Sequence, residues 1–230
     1  MTMIATHLQA VRARIEAACL AAGRAPGSVQ LLAVSKTFGP EAVAQAFAAG
    51  QMAFGENYIA EAVGKIKALE ALPIAWHCIG PIQSNKTRLV AEHFAWAHSV
   101  DRLKIAQRLS EQRPAHLPPL QVCLQVNVDG GANKSGVAPQ ELLALAQAVS
   151  ALPHLTLRGL MCIPEPAPDF LAACALFQRA RDLFDALNRA GLALDTLSMG
   201  MSADLEAAIH AGSTMVRVGS AIFGGRPAAV

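Results

Sequence analysis

Near the start of the chain the apolar residues Ile4, Leu8, Val11 and Ile15 recur three or four positions apart. That spacing puts them on one face of a helix, predicted over about 3–22 and closed by Gly23, Pro26 and Gly27. Beyond it the period changes. Short runs rich in β-formers fall at 29–35, 52–54, 75–79, 95–100, 120–128, 155–163, 194–199 and 214–218. Helical spacing fills the intervals at 40–49, 56–69, 84–92, 101–112, 139–151, 168–190 and 202–211. Strands alternating with helices build right-handed βαβ units and a parallel sheet. Eight such strands predict an α/β fold, a single (β/α)8 TIM barrel with an extra N-terminal helix. An open doubly wound sheet is the alternative, but no GxGxxG follows the first strand and no GxxxxGK occurs. No linker or shift of composition divides the pattern, so 1–230 reads as one domain.

Hydrophobic residues make up 53% of the chain and charged residues 16%, which supplies a sizeable core and argues against disorder. The formal net charge of +2 lacks the basic surplus of a nucleic-acid binder. Cys19, Cys78, Cys123, Cys162 and Cys174 form no CxxC pair, and read as small buried hydrophobes in a reducing compartment. Arg12, Arg14 and Glu16 interrupt the first helix, so it is no signal peptide, and no apolar run reaches membrane-spanning length. The expected setting is cytoplasmic, with neither nucleic acid nor membrane as partner.

In a barrel of this kind the chemistry gathers at the C-terminal ends of the strands. Lys36 follows strand 1, and Glu56, Asn57 and Tyr58 follow strand 2. Asn85 and Lys86 follow strand 3, and Lys134 lies beyond strand 5. Ser198, Met199 and Gly200 end strand 7, and Arg217, Gly219 and Ser220 end strand 8. Small residues after strands 7 and 8 are where this fold commonly holds a phosphate. Gly200 and Gly219 let the backbone approach, Ser198 and Ser220 add hydroxyls, and a short helix starting near Ser220 would aim its N–H groups at an anion. Tight turns alone would also account for Gly and Ser here. Side chains alternate along a strand, so Leu32, Val34 and Lys36 share a face, as do Met215, Arg217 and Gly219. If those faces are the interior, a lysine amine and a guanidinium stand beside the phosphate site. A lysine Schiff base beside such a site is what pyridoxal phosphate requires. A snorkelling lysine and a structural ion pair for Arg217 fit the same spacing.

The stretches LLAVSKT, FGENY, WHCIGPIQSNK, SVDR, KSGV, LRGLMCIP and SMGMSADLEAAIHAGSTMVRVGSAIFG together cover about 30–225. On them the chain resembles the YggS/PROSC family of pyridoxal phosphate homeostasis proteins. The resemblance implies a (β/α)8 barrel similar to the N-terminal domain of alanine racemase. It implies that Lys36 carries pyridoxal 5'-phosphate as a Schiff base. Ser198, Gly219 and Ser220 hold the phosphate, with Met199 and Gly200 in the same loop, and Asn57 lines the pocket. Arg217 lies by the pyridine nitrogen, keeping it unprotonated and weakening the ring as an electron sink. Family members are regarded as carriers or regulators of the cofactor rather than enzymes. An acidic residue common in the family shortly before the KSG lysine has no clear counterpart among Gly130–Asn133, so only the placing of Lys134 remains for that loop.

Racemisation needs a second base on the other cofactor face. Tyr58 is the only tyrosine, and the barrel pattern leaves no residues for a second domain to bring another. The expected role is therefore to buffer the cofactor or deliver it to apo enzymes, as a monomer. A low-activity amino acid racemase is the alternative, and a barrel binding another phosphorylated metabolite with Lys36 structural is a third reading. Whether Lys86 or Lys134 makes a second, weaker site is left open. His77 and Cys78 point to opposite faces of one strand and do not converge as metal ligands. His93, His98 and His210 read as surface or interface groups.

Overall fold

The structure is a computed structural model that describes residues 2–130 and 135–225. Eight parallel strands close in sequence order: β1 (Gln30–Val34), β2 (Ala53–Glu56), β3 (Ala75–Cys78), β4 (Trp96–Val100), β5 (Leu120–Gln125), β6 (Leu155–Met161), β7 (Thr196–Met201) and β8 (Met215–Val218). β1 pairs β8 through Leu32 opposite Arg217, which closes the ring. The helices surround it: α1 (Met3–Ala21), α2 (Pro40–Ala48), α3 (Ile59–Ala68), α4 (Thr87–His93), α5 (Leu103–Gln112), α6 (Leu142–Ser150), α7 (Phe170–Arg189), α8 (Leu205–His210) and α9 (Ser220–Phe223). This is the (β/α)8 barrel expected from the pattern, with α1 as the added helix.

Local chemistry sets the helix boundaries. Thr2 caps α1 by accepting from the Ala5 N–H, and Asp169 caps α7 by accepting from the Ala172 N–H. Pro40 opens α2, where its missing N–H costs nothing. Six of the seven predicted intervening helices begin two or three residues later than their periodicity suggested. Residues 84–86 and 139–141 are single 3-10 turns ahead of α4 and α6. Glu56 stays in β2 because the ladder to β3 continues to Glu56 opposite Cys78, which leaves Asn57 and Tyr58 as the loop before α3.

The main core lies between strands and helices. Leu8, Val11 and Ile15 of α1 are buried in it, each side chain contributing roughly 1.5–3 kcal/mol by leaving water. Inside the ring a smaller apolar cluster of Leu32, Val34, Ala53, Ile79 and Met215 fills the side formed by β1, β2, β3 and β8. Polar groups are buried in the barrel as well. His77, His98, Ser198 and Arg217 are all buried. No described helix is long and apolar enough to cross a membrane.

Candidate functional site

Because Leu32 and Val34 face the interior, Lys36 emerges two residues further on at the C-terminal mouth of the ring. A cavity of about 480 Å3 opens there, lined among others by Lys36, Asn57, Arg217, Gly219 and Ser220. Strand ends widely separated in sequence, those of β1, β2 and β8, thus meet in one place. Lys36 is half-buried, and Arg217 is buried in the floor. Ile79 and Ile163 give the cavity apolar walls, and Phe38 stacks on Phe223 of α9 at 5.2 Å.

Arg217 is fixed by neutral oxygens. One terminal nitrogen donates to the Ser198 carbonyl at 2.7 Å and to Ser198 Oγ at 2.9 Å, and the other donates to the Cys162 carbonyl at 3.0 Å. Burial lowers its pKa from the ordinary arginine value. The guanidinium therefore brings positive charge to the cavity floor with its orientation set by a fork of hydrogen bonds. Behind it runs a polar chain. Ser198 Oγ lies 3.0 Å from His98 Nδ1, and His98 Nε2 lies 2.9 Å from His77 Nδ1. His77 stacks on Trp96 at 5.1 Å, and Arg158 lies over the face of the same indole at 4.9 Å. Burial pushes the His77 imidazole down to about 3. It pushes His98 well below the ordinary range too, with His77 and Arg217 adding to the effect. Both rings are neutral at physiological pH. His98 is thus no surface group: its alternation along β4 turns it inward.

Lys36, Asn57, Arg217, Gly219 and Ser220 come together. Ser198, Met199 and Gly200 do not line the cavity. The ladder between β7 and β8 slips, with Ser198 opposite Met215 but Met201 opposite Arg217, so three steps on β7 match two on β8. Gly200 absorbs the slip at φ 94°, and a Cβ there would meet Ala208 Cβ at 2.5 Å. Such a bulge re-aims the chain beyond it. Met199 turns into the helix-facing core, while Met201, Ser202 and Ala203 reach the cavity instead. Ser198 acts on the site through Arg217.

The 201–203 turn is held from two sides. Asp204 Oδ1 accepts from the Met201 N–H at 2.6 Å, and the Ser202 carbonyl accepts from Arg14 of α1 at 2.8 Å. Arg14 is itself paired with Glu206. Opposite that turn, the Ser220 and Ala221 N–H groups open α9, where a helix has no internal acceptors for them. At Gly219 a Cβ would lie 3.1 Å from the Val34 carbonyl oxygen, so the bare backbone keeps this edge of the cavity open.

Tyr58 is 54% exposed and is not among the lining residues. Asn85 and Lys86 form the 3-10 turn before α4 and also lie outside the lining, and Lys134 falls outside the described residues. No group of three or more His, Cys, Asp or Glu side chains placed to hold a metal occurs among the described residues. Burial pushes the thiols of Cys78, Cys123 and Cys162 up to about 12, so they are inert as nucleophiles. Sequence reading missed Ser202, Ala203, Arg14 and the inward His98.

Comparison with known proteins agrees with this geometry. The family model for the alanine racemase N-terminal domain matches residues 6–227. The chain is 63% identical over 226 residues to a protein of Pseudomonas aeruginosa named pyridoxal phosphate homeostasis protein, covering 98% of this chain and 97% of that one. It is 52% identical over 229 residues to the protein of that name from Escherichia coli, covering 98% of each. Among solved structures, PipY of Synechococcus elongatus, determined with PLP bound, superposes with a TM-score of 0.84 at 39% identity, over 96% of this chain and 100% of that one. Alanine racemase of Corynebacterium glutamicum shares the fold, at a TM-score of 0.71 and 18% identity, with 99% of this chain matched to 62% of that one.

Proposed function

Because the chain belongs to the family of pyridoxal phosphate homeostasis proteins, built on the alanine racemase N-terminal domain, we propose that it binds pyridoxal 5'-phosphate with Lys36 as covalent anchor. Its role is to buffer the cofactor inside the cytoplasm and hand it to apo enzymes. The observation that carries this reading is the convergence of an amine, a buried guanidinium and small-residue backbone N–H groups on one cavity. Those three features match an aldehyde, a ring nitrogen and a phosphate. Asn57 Oδ1 is buried there without a hydrogen-bond partner, which fits a polar ligand group beside it.

When bound, the cofactor supplies an aldehyde for the lysine amine and a ring able to accept electron density. The protein's part is to bind and restrain it. Lys36 supplies the attacking nitrogen. Gly219, Ser220, Ser202 and Ala203 take the phosphate, Asn57 takes a ring substituent, and Arg217 faces the ring nitrogen. Ser198 orients Arg217, while Met199 and Gly200 shape the turn. A cation at the ring nitrogen opposes its protonation, which suits storage better than carbanion chemistry. The exposure of Tyr58 supports the non-enzymatic reading, since it lies outside the cavity lining where a second base would stand. The reading takes residues 1–230 as one binding domain, acting as a monomer.

The test is the visible spectrum of the purified protein with added pyridoxal phosphate, then borohydride reduction and peptide mapping. Pyridoxyl mass on the Lys36 peptide is the expected result. A protein that stays colourless, or that is labelled elsewhere, overturns the reading. Activation of an apo enzyme by the loaded protein tests delivery.

A further inference from the structure

Both peptide units flanking Lys36 are tied to one buried cluster of charges. Ser35 Oγ donates to Glu56 Oε1 at 2.6 Å, and the Ser35 carbonyl accepts from Lys65 Nζ at 2.8 Å. On the other side the Thr37 N–H donates to Glu61 Oε1 at 2.8 Å. Lys65 joins the two carboxylates, 2.8 Å from Glu56 and 2.7 Å from Glu61. Lys65 is only 5% exposed and Glu56 1%.

Two features of this cluster are costly. Burying charged side chains at a strand end is expensive even when they are paired, and Glu56 Oε2 is left buried without a hydrogen-bond partner. Thr37 takes φ 68°, in the left-handed region that a β-branched residue disfavours. Strain of this kind persists only where the surroundings over-determine it, and it collects at functional sites. The bonds from Glu61 to Thr37 and from Glu56 and Lys65 to Ser35 are that over-determination. What they enclose is one residue, Lys36.

We propose that Glu56, Lys65 and Glu61 are positioning residues that lock the 35–37 backbone, with Thr37 left-handed, so that the Lys36 stem enters the cavity at the angle needed for covalent capture of an aldehyde. The inference rests on the reading of Lys36 as cofactor anchor. It separates two parts of binding. The phosphate and ring contacts come from other strand ends and do not need the latch, whereas bond formation at the lysine amine does.

The experiment compares Glu61→Ala, Glu61→Gln and Thr37→Gly with the parent, using pyridoxal phosphate and 4-deoxypyridoxine phosphate, which lacks the aldehyde. Glu61 is on the solvent side of the cluster and Thr37→Gly relieves strain, so all three proteins are expected to fold. Glu61→Gln keeps an acceptor oxygen for the Thr37 N–H. Affinity for pyridoxal phosphate is expected to fall about tenfold or more in Glu61→Ala, because misplaced reacting groups lose rate and affinity steeply. Thr37→Gly keeps the N–H bonded to Glu61 and takes the left-handed conformation freely, so it should bind near the parent. Glu61→Gln should remain near the parent, the deoxy ligand should bind all four proteins within about twofold, and the melting temperature of Thr37→Gly should not fall. Equal loss for both ligands would mean general loosening and overturns the latch. Unchanged affinity for pyridoxal phosphate in Glu61→Ala overturns it too and leaves the function standing. A parent that forms no bond at Lys36 overturns both.

Discussion

His98 and Ser198 meet in the middle of the barrel, Nδ1 3.0 Å from Oγ, and the same hydroxyl oxygen accepts from Arg217. One serine therefore links a neutral imidazole to the guanidinium in the cavity floor. The cost of this arrangement is sensitivity to acid. Folding holds His77 at about 3 and His98 well below its ordinary value of 6.5, because burial excludes the charged form. Below about pH 6.5 the unfolded chain takes up protons that the folded chain cannot, so stability is complete above that pH and falls as the pH drops toward 3. Glu56 acts in the opposite sense, since burial raises its pKa from 4.5, and its contribution is lost as pH rises through that higher value. Comparing parent with His98→Gln cancels the Glu56 effect. The parent should lose up to about 1.4 kcal/mol more per pH unit than the variant between pH 6.5 and 5. Urea unfolding at several pH values measures it, and equal slopes would show that His98 does not titrate as argued.

Arg14 reaches from α1 to the 201–203 turn, where it bonds the Ser202 carbonyl and pairs with Glu206. Both side chains are more than a third exposed, so the ion pair itself adds at most about 1 kcal/mol. Its effect on binding should be larger than its effect on stability. Arg14→Ala is expected to weaken pyridoxal phosphate several-fold with little change in unfolding midpoint. Pyridoxal, which lacks the phosphate, should bind the variant and the parent alike. Titration calorimetry with both ligands decides this, and a matched loss for pyridoxal would count against a phosphate role for the turn.

Strand parity was sufficient to put Lys36 and Arg217 at one mouth, because β1 and β8 run without irregularity through Leu32, Val34, Met215 and Arg217. The reach of Met201 and Ser202 into the cavity was not legible, because the slip at Gly200 is a property of the β7–β8 ladder, and a glycine alone does not reveal which way a strand bulges. His98 was unreadable for a related reason: a histidine in a five-residue strand has no face until the register is known. The Glu61–Lys65 spacing on α3 is a helical i,i+4 pair visible in sequence, but it reads as an ordinary solvated pair. Its meaning comes from Ser35 and Thr37, which only the closed ring brings against it.

Gly80 joins fold and site at a single atom. A Cβ there would stand 2.1 Å from the Asn57 carbonyl oxygen, a contact that no rotamer can relieve because both partners are backbone. Gly80→Ala should push the loop after β2 away from the cavity, costing about 1–3 kcal/mol of stability as an overpacked site. Asn57 would move with it. The expected result is a folded, destabilised protein whose pyridoxal phosphate affinity is reduced by more than tenfold. An alanine variant with parental stability and affinity would mean that the 57–80 approach is looser than this packing.

Arg217 provides the sharpest chemical test, because its charge and its shape can be separated. Arg217→Gln removes the cation and keeps an amide donor for the Ser198 carbonyl, at a stability cost of about 1–3 kcal/mol for the oxygens left without a donor. With the guanidinium present, a proton on the neighbouring ring nitrogen would sit beside a positive charge in a site of low dielectric, so that nitrogen should remain unprotonated from pH 6 to 9. In the variant the repulsion is gone, and the ring nitrogen should become protonable within the same range. Pyridoxal phosphate labelled with 15N at the ring reports the difference directly as a chemical shift that titrates in Arg217→Gln and stays fixed in the parent. A ring nitrogen that titrates in the parent as well would remove Arg217 from its assigned place beside the ring, and with it the electrostatic reason for reading this barrel as a store rather than a catalyst.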